Sequence, residues 1–404
     1  MSKHILEEIN PRVLGARLQD SRRVSGLTQQ AVAGHLGIAR TTLVAIEKGE
    51  RRVTSHELLT LANLYGRPVA EFVGRPVTEK SFIPQFRASW AKEIEGDAGL
   101  AEAAIRLQQF AQNYIELEAM CGMPLAKFYP PVYDTTGRVP EQAGEDIATA
   151  ERNRLGLGDG PVNNLRERLE TDIGLRIFYF PMPSEVSGVF AFTDEFGGCI
   201  GVNSKHPLER CNWSLVHEYG HFLTTRYQPD ITFQMAAKRN SVNERLADAI
   251  TANFLMPASG LNRRFSELHR MKGNVNVADI CTLAHLYQVS FQAMVRRLED
   301  LKRLPYGTWD RLLVEGFKPR QAQQLLGLQS HESEIQSFPT RYLQLAVMAY
   351  HKEELSEGQL ARMLDTDRIT ARTIVEEMSN RILAEQDQDF GTLQVDLSTP
   401  LGGR

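Results

Sequence analysis

Long apolar runs are missing from this 404-residue chain. Nowhere do the ~18 consecutive apolar residues of a membrane-spanning helix occur, which excludes a helical membrane protein. Cysteine is scarce and dispersed. Cys121, Cys199, Cys211 and Cys281 contain no CxxC pair, so neither a disulfide framework nor a thiolate zinc site is suggested and buried free thiols are expected. The opening Met1-Ser2-Lys3-His4-Ile5-Leu6-Glu7-Glu8 lacks the apolar segment of a secretory signal, and its acidic pair argues against a transit peptide. A cytoplasmic location is expected. What is present is ordinary globular material, 42% hydrophobic and 24% charged, in a length that suits two or three domains rather than one.

The charge is unevenly spread. Residues 1–73 hold ten Lys/Arg against seven Asp/Glu, or +3, so the rest of a chain whose formal net charge is −4 carries −7. Only the N-terminal segment has a balance suited to nucleic acid. It reads as five short helices. At their centre, Thr28 can cap a helix, Gly37 can close it in a left-handed turn, and a second helix starts near Ala39. Ala33, Leu36, Ile38, Leu43 and Ile46 fall where two crossed helices share a small core, leaving Arg40, Thr41 and Thr42 outward. That is helix-turn-helix geometry. The stretch from about residue 10 to 73 resembles the Xre and lambda-repressor-like family. The resemblance implies that Gln29 grips a phosphate of double-stranded operator DNA. It further implies that Arg40, Thr41, Thr42 and Ala45 face base edges, while Lys48 and Arg51 lie near the backbone.

Gly74 to Pro84 reads as a linker. Over residues 98–121, Leu100, Leu107, Tyr114 and Cys121 recur every seven, with Ala103, Phe110 and Leu117 filling the intermediate seam. Such a helix either pairs two chains or faces an ordinary core. Residues 140–170 read as two helices separated by Gly156 to Pro161. Short β-type runs follow at Leu175–Phe180, Gly188–Phe192 and Cys199–Asn203, forming a small sheet. A helix from Cys211 to Thr224, with Trp213, Val216 and Leu223 as apolar anchors, can pack on that sheet.

This last helix carries His217-Glu218-Tyr219-Gly220-His221. Side chains at i and i+4 share a helical face, their Cβ atoms about 5–6 Å apart, so both imidazoles can reach one Zn²⁺ at roughly 2.0–2.1 Å. Glu218 then stands beside the ion, placed to take a proton from its water. Catalytic zinc needs a third protein ligand. Downstream, Glu244 and Asp248 share a face of a helix ending at Pro257; one can ligate while the other accepts an imidazole N–H.

Glu244, Ala247 and Phe254-Leu255-Met256-Pro257 resemble the second motif of the ImmA/IrrE family of bacterial and phage metallopeptidases, with Ile250-Thr251 replacing the usual Phe-Ala. The Asn-Glu pair followed by an aspartate also looks like the third-ligand helix of gluzincins. The resemblance covers about residues 140–258. It implies that His217, His221 and Glu244 are the zinc ligands, Asp248 the acceptor of a ligand's N–H, and Glu218 the catalytic base. Asn203 and Arg210 stand where members often have Asn and Arg. No oxyanion-stabilising group is assigned; Tyr227, His206 and His269 are candidates.

Val277 to Leu301 reads as helix, turn and helix, with Ala278, Leu283, Ala284, Leu286, Met294 and Leu298 apolar, and a similar unit spans Leu355 to Met378, where Ser356 and Thr370 can cap successive helices. Neither unit has a basic recognition face, so packing and partner recognition are expected of them, and the tail after Asp387 is expected to be loosely ordered.

The expected fold is mainly α with a small β-sheet (α+β). It is divided into a helix-turn-helix domain at 1–74, a linker and helical connector at 75–138, a zincin-like metallopeptidase core at 139–258 and a helical C-terminal region at 259–404. Known ImmA/IrrE members cleave a helix-turn-helix repressor. The resemblance therefore implies a homodimeric DNA-binding regulator with a zinc endopeptidase whose protein substrate is such a repressor, in a stress, phage or mobile-element response. The alternatives are a non-proteolytic regulator whose peptidase fold senses a metal or ligand, and an antitoxin-like partner of a toxin. Retention of Glu218 argues against the sensor, which needs no general base.

Overall fold

The computed structural model describes residues 11–24, 27–65, 69, 72, 98–227, 232–235, 241–328 and 336–386. The expected linker at Gly74–Pro84, the fifth N-terminal helix and the tail after Asp387 lie outside the described residues, apart from isolated helical positions at Val69 and Phe72. Two compact units divide near residue 80. Among the described residues no helix is long and apolar enough to cross a membrane.

In the first unit the described helices are α1 (Pro11–Val24), α2 (Gln29–Leu36), α3 (Arg40–Glu47) and α4 (Ser55–Leu64). Thr28 caps α2 as expected, accepting from Ala31 N at 3.2 Å, and Gly37 closes it at φ 66°. Val32, Ala33, Leu43 and Ile46 form the core with Leu18, Leu58 and Leu61, while Leu36 and Ile38 pack at its margin. α1 can lie against the end of α3 because Gly15 has no side chain. A Cβ there would stand 2.4 Å from the Ile46 carbonyl oxygen.

The second unit begins with α5 (Ala98–Cys121), α6 (Pro140–Arg154) and α7 (Leu165–Ile173). A sheet follows, made of β1 (Arg176–Phe180), β2 (Val186–Thr193) and β3 (Gly197–Asn203), then α8 (Leu208–Thr225) and the edge strand β4 (Thr232–Met235). Strand order is β1-β3-β2-β4, with β1 parallel to β3 and the other pairs antiparallel. β4 is an addition to the three strands expected. After it come α9 (Val242–Leu255), α10 (Ala258–Lys272), α11 (Val277–Leu286), α12 (Phe291–Asp300), α13 (Thr308–Val314) and α14 (Pro319–Leu325). The chain closes with α15 (Thr340–His351), α16 (Glu357–Met363) and α17 (Arg368–Gln386).

Alternation along the strands sends side chains to two cores. Ile177, Tyr179, Ile200 and Val202 join one with α8, α9, α11 and α12, in which Val216 and Leu223 are buried and Trp213 packs at the edge. Phe178, Phe180 and Cys199 point to the other face, which α5 and the helices α15 to α17 cover. The heptad seam of α5 is thus used within the chain, with Leu107, Tyr114 and Leu117 fully buried there. Two further expectations are corrected. Leu286 is 44% exposed. The start of α17 is capped by Asp367, which accepts from Ile369 N and Thr370 N at 2.8 and 3.0 Å and from the hydroxyl of Thr370, so Thr370 is a recipient and not the cap. Ser356 caps α16 in a reciprocal box with Gln359, as expected.

Candidate metal centre and helix-turn-helix surface

On α8, His217 and His221 lie about 40° apart and Tyr219 faces nearly the opposite way. Tyr219 anchors the helix from behind. Its hydroxyl donates to Glu151 of α6, a fully buried carboxylate that also accepts from Tyr133 Oη at 2.8 Å and Arg154 Nε at 3.0 Å. α9 crosses in front, where both helices are slim. A Cβ on Gly220 would stand 3.3 Å from Ala247 Cα, so this small pair lets the backbones approach and brings Glu244 and Asp248, flanking Ala247, to the imidazoles.

His217 Nε2 and His221 Nε2 are 3.2 Å apart, Glu244 Oε2 is 3.3 Å from the first, and Glu244 Oε1 is 3.3 Å from the second. Ligands about 2.0–2.1 Å from a tetrahedral zinc stand about 3.3 Å from one another. The triangle therefore has the size of three corners of that tetrahedron, and its two nitrogens and one oxygen are donors zinc accepts. Asp248 Oδ1 accepts from His217 Nδ1 at 3.0 Å, which leaves the Nε2 lone pair directed into the triangle.

The electrostatics agree with a cation site. Burial opposes charge on His217, but the carboxylates of Asp248, Glu244 and Glu218 outweigh it and push its pKa up to about 9. Burial likewise opposes charge on Glu244, yet hydrogen bonds from both imidazoles bring it down to about 2. His221, fully enclosed, is lowered by desolvation.

Glu218 is 0% exposed. One residue that sequence reasoning missed shapes its surroundings: a Cβ on Gly188 of β2 would meet Glu218 Oε1 at 2.8 Å and Cγ at 3.0 Å. An isolated glycine inside a strand pattern is the available signal for such close approach. Asn203 holds the segment entering this strand, donating to Pro183 O at 3.0 Å and Val186 O at 2.8 Å and accepting from Met182 N at 3.2 Å. Arg210 donates to Ser187 Oγ at 2.9 Å.

Among the described residues, no hydrogen bond or ring contact joins Tyr227, His206 or His269 to the triangle. Tyr227 is 68% exposed and stacks edge-on against Phe192 at 5.3 Å, four residues or about 13 Å along β2 from Gly188. His269 is exposed in the last turn of α10, and His206 is buried ahead of α8.

In the first unit, Arg40 and Thr41 are exposed at the start of α3, Thr42 and Ala45 are half-buried, and Lys48 is exposed at its end. Gln29 links the two helices. Its Nε2 donates to Glu47 Oε2 at 2.9 Å and its Oε1 faces Arg40 Nη2 at 3.4 Å. Glu47 is buried with Arg22 Nε at 2.6 Å; burial works against its charge, but Arg22 and Gln29 hold it below the ordinary carboxylate range. Arg51 pairs with Glu57 at 2.9 Å.

The fold is therefore mainly helical with a small sheet: a helix-turn-helix domain, then the α+β unit that carries the donor triangle, then further helices. Residues 13–72 match the family model of a helix-turn-helix domain, and residues 170–299 match that of the IrrE N-terminal-like peptidase domain. The chain thus joins a helix-turn-helix DNA-binding domain to an IrrE-like peptidase domain. No curated protein matches it. Two solved structures align over most of its length. PlcR of Bacillus thuringiensis, in complex with the peptide PapR7 and DNA, is 12% identical over 93% of this chain and 98% of that one, with a TM-score of 0.18. ComR of Streptococcus suis is 11% identical over 94% and 96%, with a TM-score of 0.16.

Proposed function

We propose that this chain is a cytoplasmic, homodimeric transcriptional regulator that binds operator DNA through α3 and carries a zinc-dependent endopeptidase. The endopeptidase relieves repression by cutting a helix-turn-helix repressor, in a stress, phage or mobile-element response. One observation carries the catalytic part: a donor triangle of 3.2–3.3 Å on two crossed helices, next to the buried carboxylate of Glu218. His217, His221 and Glu244 would hold a zinc ion, which would supply Lewis acidity for a peptide carbonyl and for water at this site. Glu218 takes a proton from water on a carboxylate oxygen and returns it to the departing amine. Asp248 keeps the His217 ring in register, and Gly188 leaves room for the base. Cutting a dimeric repressor is an efficient switch, because half-sites about 34 Å apart reward only an intact pair.

The test compares wild type, Glu218→Gln and His217→Ala for zinc content, DNA binding and cleavage of a purified helix-turn-helix repressor. The expected result is zinc in the first two proteins only, cleavage in wild type only, and DNA binding in all three. If His217→Ala keeps its zinc, the metal centre is elsewhere. If Glu218→Gln retains every regulatory output while His217→Ala loses them, the peptidase fold serves as a metal sensor instead.

A further inference from the structure

On the face of the sheet covered by α5, the second unit contains a cleft of about 440 Å³. Space of this order, ~300–1,000 Å³, is what metabolite-sized ligands occupy. Three aromatic rings, packed on one another, form its base. Phe110 of α5 meets Phe180, at the end of β1, edge to face at 5.6 Å, and meets Phe338 at 5.0 Å. Pro181, Leu343 of α15, Leu364, and Ile374 and Met378 of α17 complete the apolar lining. The lining is mixed, with Gln336, Ser337 and Thr366 beside the apolar groups, and an apolar body that covers its apolar part gains free energy in proportion to the area covered.

The charges at the mouth restrict what that body can carry. Arg106 lies over the rings of Phe110 and Phe180, 5.6 and 5.7 Å from their centroids, and is ion-paired with Asp365. Its charge is therefore met from two sides. Glu377 also lines the cleft, is exposed, and makes no ion pair among the described residues. Counting Arg106, Asp365 and Glu377 together, the rim is negative by one. A carboxylate ligand would have to displace Asp365 from Arg106 and approach Glu377 against its charge; an ammonium meets neither obstacle.

We propose that this cleft binds a small amphipathic cation, with an aromatic or branched apolar body against Leu343, Ile374 and Met378, over the base that the three packed rings form, and an ammonium group at Glu377. The site is separate from the metal centre and stands whether or not the second unit cuts peptides.

The experiment is calorimetric titration of the full chain with tryptamine and, as the charge-reversed counterpart, indole-3-acetate. Tryptamine is expected to saturate one site, and indole-3-acetate to bind at least about tenfold more weakly, since attraction becomes repulsion. Glu377→Gln, a surface change that leaves the core intact, is expected to weaken tryptamine about fivefold, the size of one partly solvated ion pair. Ile374→Trp fills the cleft and is expected to abolish binding while the melting curve stays cooperative. Equal binding of the two indoles, full tryptamine affinity in either variant, or no saturable tryptamine binding in the millimolar range would overturn the proposal.

Discussion

Gly188→Ala offers a direct test of how the base is positioned, because it adds one methyl group and touches none of the metal ligands. The new Cβ would stand 2.8 Å from Glu218 Oε1, 3.0 Å from Cγ and 3.3 Å from Cδ. Carbon contacts relax near ~3.5–4.0 Å, so roughly half an ångström or more of displacement is needed. Gly188 is paired with Val202 of β3, and β2 pairs with β4 on either side of it across an irregularity, so the carboxylate is the softer partner. A misplacement of about 1 Å in a reacting group costs on the order of 100-fold in rate, so a shift of half that should cost about tenfold. The stability change should stay within about 2 kcal/mol, because overpacking is partly offset by the lower chain entropy of alanine. The measurements are zinc by elemental analysis, cleavage rate and thermal unfolding. A tenfold slower, fully zinc-loaded, folded enzyme is the expected result. An unchanged rate, or loss of zinc together with activity, would show that Gly188 does not seat the base.

Other perturbations probe the surrounding structure. Ala247→Leu should force α8 and α9 apart at Gly220 and lower zinc affinity by at least about tenfold, whereas Gly220→Ala, whose Cβ would sit 3.3 Å from Ala247 Cα and need only a few tenths of an ångström of relief, should lower it by a smaller factor; metal-competition titration separates them. Glu170 of α7 is pushed up to about 8 by burial, which outweighs attraction to Arg166 and Arg341, while Glu167 adds to the rise. Because the folded state then binds more protons than the unfolded one, stability should fall by a few kcal/mol as pH rises from about 4.5 to about 8, then level off. Glu170→Gln should flatten that slope in denaturant titrations across the range, and an unchanged slope would assign the effect to other groups. In the first unit, Glu47→Ala leaves Arg22 buried without its partner and should cost about 3–5 kcal/mol, read by chemical unfolding of full-length protein. Lys48→Ala should weaken DNA binding about equally across sequences and reduce its salt dependence, whereas Arg40→Ala should relax base preference; identical effects from the two would contradict the orientation of α3.

The parts of this molecule readable in its sequence are those whose periodicity has a single geometric meaning. Histidines four apart on a helix must share a face, as must Glu244 and Asp248, and the structure crosses the two pairs at Gly220 and Ala247. The seam of α5 is different: a seven-residue apolar repeat looks the same whether it meets a second chain or the chain's own sheet. Here Phe178 and Phe180 supply the partner surface, together with Tyr342, more than 200 residues downstream of the end of α5. β4 is not legible in the sequence because four residues are too few for alternation to stand out. Thr370 was a plausible cap by residue type, but Asp367 stands immediately before the helix and its carboxylate reaches both free amides. Gly188 is the most consequential omission. In one dimension it is a weak point in a strand, and only the arrival of Glu218 from a helix 30 residues later explains why a side chain there would collide with the base. The metal ligands announce themselves through chemistry and spacing, but the residue that leaves space for the base is legible only once the strand and the helix have been brought together.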